Sequence, residues 1–365
     1  MLSALRRSRN QASTPALLPA PRSPRELLLA LADYEDARGI DAWLERFDFS
    51  GVTPHQIYSC ALGRLPESAP VARQGAGYDA RQHLRAMLCC EEFQDRLITF
   101  VLRALPEKQR LFFVHVPKCA GSDLSSHLMQ LFDGSYLGQL DQSPLHIAPE
   151  RLPWRLQTLM ASLPRQPTIA VMGHIGLNWL LSEQLLRFGD VSFTVIRDPI
   201  DMAISKVNYV LTLMQRDPAG RTPLVLEWIK RFNLSRYGSG LPDDLAALKP
   251  LALGMLRDTR IVPRDNLCGF LGRGDAGTAT DLCASANIEL TTVSRYDAWL
   301  QKRWRNIASA RINESHKILT RADLQDDDME YLHDLTAQDR LFYQRVDAGI
   351  ASSGQLSIFG AQLTP

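Results

Sequence analysis

The chain has 365 residues, of which 45% are hydrophobic and 22% are charged, as in soluble globular proteins with room for one large α/β domain and a smaller one. Lysine and arginine number 41 against 40 aspartates and glutamates, so the net charge of +1 argues against a nucleic-acid-binding protein, and an anionic ligand has to be held locally. The six cysteines form no CxxC pair, and no apolar run reaches the roughly 18 residues of a membrane span, so we expect a cytoplasmic protein without a metal site or a transmembrane helix.

The first 108 residues are predicted to form a tail followed by a helical domain. Residues 1–22 are rich in arginine and serine and contain no acidic residue, which predicts a flexible tail, with a transit peptide as the alternative. Two capping boxes, SPRE at 23–26 and TPHQ at 53–56, each predict the start of a helix. Residues 23–108 are predicted to be a small all-helical domain that serves in homodimerisation or docking. Its helical periodicity covers residues 24–38, 41–47, 55–62 and 80–105, with no strand pattern before 110.

From residue 111 short β-rich runs alternate with helical segments. This alternation predicts a P-loop-like parallel β-sheet flanked by helices, an α/β domain over residues 109–350, with a C-terminal tail at 351–365. Residues 215–290 are rich in proline and glycine and are predicted to be loops over one sheet edge, with helical pieces at 224–232 and 245–256. The predicted strands are 111–116, 168–172, 191–196 and 289–293, and the predicted helices that follow are 177–187, 200–214, 297–307 and 326–346.

The segment LFFVHVPKCAGSDLSSHLMQLF at residues 111–132 predicts a strand, a short turn and a helix. Pro117 ends the strand because proline has no amide to donate, Gly121 allows close approach to a ligand, and Ser122 is predicted to cap the helix. Free amides at a helix N-terminus beside Lys118 are typical of a phosphate or sulfate site. The order differs from the Walker pattern because Lys118 precedes Gly121, and an ordinary strand-to-helix turn with a surface lysine is the alternative.

A second segment, VSFTVIRDPIDMAISKVNYVL at 191–211, places Arg197 at the end of a strand and Ser205 two turns along the next helix. A guanidinium and a hydroxyl form a suitable clamp for a phosphomonoester, whereas the alternative is a surface pair of Arg197 with a helix-capping Asp198. Because the carboxyl ends of parallel strands share one sheet edge, Lys118, His174 and Arg197 are predicted to converge there. A buried structural role is the alternative for His174.

These segments resemble the sulfotransferases that use 3′-phosphoadenosine 5′-phosphosulfate (PAPS), specifically the carbohydrate branch that includes heparan sulfate 2-O-sulfotransferase-like enzymes. HVPKCAGSDL at 115–124 is similar to the family's 5′-phosphosulfate loop, and VIRDPIDMAIS at 195–205 is similar to its 3′-phosphate element. Weaker similarities are GHIG at 173–176, RDNLCGFLG at 264–272, INES at 312–315 and DRLFY at 339–343.

The resemblance implies in-line transfer of the sulfuryl group from PAPS to a hydroxyl of a polysaccharide or glycolipid, without a metal. It implies His174 as the catalytic base and Lys118 as the group that stabilises the leaving phosphate. The implied donor-binding residues are Pro117, Lys118, Cys119, Ala120, Gly121, Ser122, Asp123, Arg197, Ser205, Asn313 and Ser315. The expected partner is a glycan acceptor; a protein-tyrosine or small-molecule sulfotransferase, or a non-catalytic nucleotide-binding protein, are the alternatives.

Four positions within the motifs carry their own expectations. Asp123 stands where the family usually has Ser or Thr, and its carboxylate is predicted to point away from the donor as a charge in the first helical turn. Met202 replaces a commonly basic residue, which predicts one missing anion contact. Cys119 is predicted to be a small loop residue rather than a reactive thiol, and His115 is predicted to pack within the strand.

Overall fold

The computed structural model describes residues 16–32, 39–68, 78–90, 92–93, 96–132, 136–138, 167–187, 189–217, 229–230, 241, 244–304 and 315–363. The chain divides into two compact units, one made of residues 1–106 with 146–161 and the other of residues 107–145 with 162–365. The change from helical to alternating pattern along the sequence falls within a few residues of the first division.

The first unit consists mainly of short helices. They are α1 Pro24–Ala32, α2 Gly39–Leu44, α3 Pro54–Leu62, α4 Ala80–Cys89 and α5 Leu97–Ala104. The capping box predicted at Thr53 is confirmed, because its side chain accepts from the Gln56 amide and Gln56 accepts in return from the Thr53 amide. The single helical segment predicted at 80–105 is wrong, since α4 ends at Cys89 and α5 begins at Leu97.

The prediction that this region lacks strands is also wrong. Strands β1 Leu18–Pro19 and β2 Phe47–Asp48 pair in parallel. The pairing rests on two backbone hydrogen bonds, from the Leu18 amide to the Arg46 carbonyl at 2.8 Å and from the Ala20 amide to the Asp48 carbonyl at 3.2 Å. Two-residue strands are too short to produce a period-two hydrophobic pattern, and β1 lies in the segment that was predicted to be a tail.

The second unit is built on a six-stranded sheet. Its strands are β3 Gln109–Val114, β4 Tyr136–Gly138, β5 Thr168–Gly173, β6 Val191–Ile196, β7 Glu289–Thr292 and β8 Ile358–Phe359. They lie in the order β4-β5-β3-β6-β7-β8, in which the first five are mutually parallel and β8 runs antiparallel to β7. The predicted α/β class with a mostly parallel sheet flanked by helices is therefore confirmed.

Helices connect and cover these strands. They are α6 Gly121–Leu131, α7 Leu177–Ser182, α8 Pro199–Arg216, α9 Lys249–Leu256, α10 Asn266–Gly272, α11 Ala276–Ser285, α12 Tyr296–Arg303, α13 Asp326–Leu335 and α14 Ala337–Ser353. The long helix predicted at 326–346 is wrong, because the chain turns at Thr336 between α13 and α14. Helices α10 and α11 occupy a stretch predicted as loops, and the predicted C-terminal tail contains the end of α14 and β8.

The order of the strands determines where a ligand can bind. From β3 the chain passes to one side to form β5, and it then crosses to the other side to form β6. This change of direction leaves a crevice beyond the carboxyl end of the central strand β3, which is where parallel sheets bind their ligands.

Candidate functional site

Three neighbouring strands deliver the predicted site residues to one edge of the sheet. Strands β5, β3 and β6 lie side by side, with Gly173 level with Val114 and Phe113 level with Phe193. His174 follows the last residue of β5, Lys118 follows β3 by four residues, and Arg197 follows the last residue of β6. The strand ends therefore meet at the edge that the sequence pattern predicts.

The turn after β3 has an unusual backbone conformation. Lys118 and Ala120 have φ angles of 68° and 60°, which place two side-chain-bearing residues in the left-handed region. Such residues cost about 1–3 kcal/mol each and cluster at ligand-binding sites. Helix α6 begins at Gly121 with Ala120 at the cap position, so the prediction that Ser122 caps the helix is wrong. Ser122 lies exposed in the first turn, beside the free amides.

The side chain of Lys118 is partly buried against helix α8. Its Nζ lies 3.7 Å from the centre of the Tyr209 ring. Burial, reinforced by the positive charges of Arg197 and Lys206, lowers the pKa of Lys118 from 10.5 to about 8. The lysine is therefore still mostly protonated at neutral pH, but at an electrostatic cost that a bound anion would relieve.

Arg197 joins the two predicted motifs. Its Nη1 approaches the carbonyl oxygen of Lys118 at 3.5 Å, the long end of the hydrogen-bond range. Within the described ranges, neither Lys118 nor Arg197 forms an ion pair with a carboxylate. Two cations at a helix N-terminus, with no carboxylate paired to either of them in the described ranges, provide the charge that binding an anion requires.

Asp198 does not pair with Arg197. Its Oδ1 accepts from the amides of Ile200 at 3.0 Å and Asp201 at 3.1 Å, which caps helix α8. The same oxygen accepts a hydrogen bond from the Arg321 guanidinium, which also lies 3.4 Å from Asp201. The alternative predicted that Asp198 caps the helix, which is confirmed, and that it pairs with Arg197, which is wrong. The Arg197 guanidinium is therefore not taken up by Asp198.

His115 and His174 stack directly on each other at this edge of the sheet. Their rings stack with centroids 4.3 Å apart and an interplanar angle of 28°. His115 lies just beyond β3, not within it, and its backbone amide donates to the Gly173 carbonyl at 3.1 Å. A Cβ at Gly121 would lie 1.7 Å from His115 Nε2, so the glycine makes room for this ring. The close approach predicted at Gly121 thus involves His115.

Two residues in the motifs are buried in the core. Cys119 is fully buried, its Sγ lies 3.8 Å from Met202 Sδ, and burial raises the pKa of the thiol to about 12. Only the backbone of Cys119 can face a ligand, and the thiol is inert, as predicted. Met202 is 4% exposed, so it fills the core behind the turn.

Asp123 also points away from the crevice. It is 5% exposed, it accepts a hydrogen bond from the Tyr296 hydroxyl at 2.8 Å, and it lies 3.4 Å from His127 Nε2. Its carboxylate therefore ties α6 to α12 in the core. Of the implied donor-binding residues, Asp123 and Cys119 cannot contact a ligand through their side chains.

Helix α8 carries the predicted Ser205 and also structural contacts that the sequence did not predict. Ser205 is partly buried on this helix, one turn before Tyr209. Further along, the side-chain amide of Asn208 forms two hydrogen bonds with the backbone of Leu319. Its Nδ2 donates to the Leu319 carbonyl at 2.8 Å, and its Oδ1 accepts from the Leu319 amide at 2.9 Å. Thr212 Oγ1 accepts from the His316 amide at 3.0 Å.

These bonds fix the chain that follows the INES sequence. Ser315 is partly buried and directly precedes the anchored residue His316. Ser315 is therefore tied to the same helix that carries Ser205. Asn313, the other implied donor-binding residue of this sequence, lies outside the described residues. Local patterns contain no signal for Asn208, because its partner is 111 positions away.

Two buried carboxylates, Asp265 and Asp339, lie in the segments 264–272 and 339–343, which carry two of the weaker sequence similarities. Asp339 accepts from the amides of Leu267 at 2.9 Å and Cys268 at 2.7 Å, which caps α10. In return Asp265 accepts from the amides of Gln338 at 2.9 Å and Asp339 at 3.3 Å at the start of α14. The N-terminus of each of the two helices is thus capped by an aspartate from the other segment. Helix α10 also carries Phe270, whose ring centroid lies 6.3 Å from that of His174.

Metal ligands, membrane-spanning helices and similarity to known proteins give no further information about the site. In the part of the chain that the structure describes, no group of three or more His, Cys, Asp or Glu side chains could hold a metal ion. Among the helices of that part, none is long and apolar enough to cross a membrane. Comparison with protein-family models, with curated proteins and with solved structures yields no match.

Proposed function

We propose that this chain is a sulfotransferase that moves the sulfuryl group of PAPS to a hydroxyl of a carbohydrate acceptor, a polysaccharide or a glycolipid. The observation that carries the proposal is the convergence of Lys118 and Arg197, from adjacent strands, on a strained turn at the N-terminus of α6. Neither cation has a carboxylate partner in the described ranges, so a bound anion would stabilise both positive charges.

The proposal assigns separate parts of the crevice to the two ends of the donor. Lys118 and the amides of Ala120, Gly121 and Ser122 hold the 5′-phosphosulfate, since the helix N-terminus and the ammonium both favour negative charge. Arg197 and Ser205 hold the 3′-phosphate. The sequence at 312–315, with Asn313 and Ser315, contributes to the same nucleotide site.

The donor supplies an activated sulfuryl group, and the residues supply position, charge and a base. Lys118 stabilises the negative charge that develops on the phosphate as the sulfuryl group leaves. His174 takes the proton of the acceptor hydroxyl, a role for which a neutral imidazole in a crevice is suited. In-line attack requires the hydroxyl to approach between His174 and the turn, on the side opposite the leaving oxygen.

The first experiment measures nucleotide binding by calorimetry with 3′-phosphoadenosine 5′-phosphate and with adenosine 5′-phosphate, on the wild type and on Arg197→Ala. If Arg197 holds the 3′-phosphate, the wild type prefers the doubly phosphorylated nucleotide, and Arg197→Ala loses most of that preference. One charged hydrogen bond contributes about 1.5–3 kcal/mol, so the loss is about tenfold to a hundredfold in affinity.

Arg257→Ala is the matched control, because Arg257 is an exposed arginine already paired with Asp328 at 2.8 Å. Its binding should equal that of the wild type. No binding of either nucleotide by the wild type would reject the proposed function. An equal loss for both nucleotides in Arg197→Ala would move Arg197 to the 5′ end of the donor and reject its assignment to the 3′-phosphate.

The second experiment follows transfer from labelled PAPS to a panel of polysaccharides, glycolipids, tyrosine peptides and small phenols. Transfer to a carbohydrate is the expected result. Transfer only to peptides or phenols would replace the acceptor class with that of a protein-tyrosine or small-molecule sulfotransferase. Tight nucleotide binding without transfer to any acceptor would identify a non-catalytic nucleotide-binding protein.

A further inference from the structure

A column of four aromatic rings leads from the middle of the sheet to the proposed base. Phe193 of β6 stacks on Phe113 of β3 with centroids 5.4 Å apart, and Phe113 stacks on His115 at the same separation. His115 then stacks on His174 at 4.3 Å, the shortest step of the column. The two phenylalanines are at most 2% exposed, so the far end of the column is fixed in the core.

His115 itself is held on several sides. Phe113 covers one face of its ring, the Gly121 backbone lies against the ring edge, and the His115 amide is bonded to the Gly173 carbonyl. Across the described ranges the ring nitrogens of His115 form no hydrogen bond with the protein. Burial above all, and the proximity of the titratable groups of His174 and Lys118, keep the pKa of His115 well below its usual range, so the ring is neutral.

We infer that His115 is a positioning residue, which orients the ring of His174 toward the acceptor hydroxyl by stacking against it. His174 then lies between the stacked ring of His115 and Phe270, whose ring is 6.3 Å away at an interplanar angle of 63°. Stacking on a fixed ring restricts the rotation of His174, and a general base works only when its lone pair is aimed at the proton. The inference rests on the proposed function, since it concerns the same base.

The test compares His115→Phe with His115→Ala in steady-state transfer and in binding of 3′-phosphoadenosine 5′-phosphate. Phenylalanine keeps a flat ring without nitrogens, so His115→Phe should retain kcat within about threefold of the wild type. Alanine removes the stacking surface, and a misoriented base lowers kcat by about tenfold to a hundredfold. In both variants the Kd of the nucleotide should stay within about twofold, because the turn and Arg197 are unchanged.

A histidine NMR measurement on the protein without nucleotide gives a readout that does not depend on turnover. The His174 ring signals, assigned as those missing in His174→Gln, should carry a ring-current shift that His115→Phe preserves and His115→Leu removes. The same leucine variant replaces the alanine variant in the kinetic test if the latter does not fold.

The outcomes separate this inference from the proposed function. Equal losses of kcat in His115→Phe and His115→Ala would assign the effect to the ring nitrogens and overturn positioning by stacking. Full activity in His115→Ala, or His174 signals that do not respond to His115→Leu, would overturn it as well. Failure of the wild type to bind the nucleotide would reject the proposed function, and the NMR shift would still decide whether the His115 and His174 rings stack in solution.

Discussion

Two parts of the second unit contain charged side chains that are buried or partly buried, and they differ in whether those charges have partners within the described residues. At the junction of α10 and α14, the carboxylates of Asp265 and Asp339 each accept two backbone hydrogen bonds. At the sheet edge, Lys118 and Arg197 have no carboxylate partner within the described residues. The bonds of the two carboxylates are those of a structural role, whereas cations without a counter-charge are the pattern on which the proposed donor site rests.

The scaffold pair still affects the site through one residue. Asp339 fixes the first turn of α10, and Phe270 lies on that helix with its ring edge toward His174. The caps therefore hold one aromatic neighbour of the proposed base. In the segments 264–272 and 339–343, Asp265 and Asp339 therefore serve as helix caps.

The largest expected effect comes from removing the cation of the site. If Lys118 stabilises the leaving phosphate as proposed, Lys118→Ala removes that charge, and loss of one such electrostatic contact lowers kcat by about 10²–10³-fold. Steady-state transfer from labelled PAPS measures this change. Lys249→Ala is the control, because Lys249 is an exposed lysine paired with Asp323, and its kcat should match that of the wild type. Retention of more than a tenth of the kcat by Lys118→Ala would contradict the assigned role.

The scaffold side of the comparison predicts a loss of stability instead. Asp339→Ala leaves the amides of Leu267 and Cys268 buried without acceptors, which should lower the free energy of unfolding by about 2–4 kcal/mol. Lys118→Met should leave stability unchanged or raise it, because it removes a cation that burial disfavours. Urea unfolding followed by circular dichroism measures both variants. A loss in Lys118→Met as large as that in Asp339→Ala would erase the distinction between the two regions.

The variant Asp339→Asn tests the structural role of Asp339 through the pH dependence of the free energy of unfolding. Burial raises the pKa of Asp339 from 3.8 to about 6, so the folded protein binds more protons than the unfolded chain between these values. The contribution of Asp339 to stability therefore falls as pH rises through this window. Asparagine can still accept from one of the two amides through its single oxygen, and it does not titrate. The stability difference between Asp339→Asn and wild type, measured by urea unfolding, should shift in favour of the variant as pH rises from about 4 to about 6.

The sequence predicted those features that depend on neighbours along the chain. The strand at 191–196, the capping box at Thr53 and the arrival of Lys118, His174 and Arg197 at one edge all follow from local patterns and parallel topology. Features made by contacts between distant positions were missed. The His115 stack joins residues 59 positions apart (174 − 115), and Asn208 bonds a residue 111 positions away.

The turn at Thr336 was missed for a related reason. The hydrophobic pattern continues from Leu332 and Leu335 to Phe342 and Val346, all of which are buried, so periodicity alone predicts one helix. The break is favoured by Asp265, which accepts the first amides of α14 from a distant part of the chain. A cap supplied from elsewhere leaves no signature in the sequence around the break.

The smallest expected effect tests whether the site needs its cation in charged form. Because the pKa of Lys118 is about 8 in the free protein, its charge is present below that pH and is lost as pH rises through it. A bound phosphate favours the protonated form, so nucleotide affinity should fall by up to about tenfold per pH unit above 8. Lys118→Met should bind more weakly and show no such fall.

Calorimetry in two buffers of different ionisation enthalpy distinguishes this source of pH dependence from others. Binding near the pKa of Lys118 should take up about half a proton per nucleotide in the wild type and none in Lys118→Met. The phosphate groups are fully ionised well above their pKa of about 6, so they contribute no uptake there. Proton uptake of equal size in both proteins would place the titrating group elsewhere in the crevice and separate Lys118 from the anion.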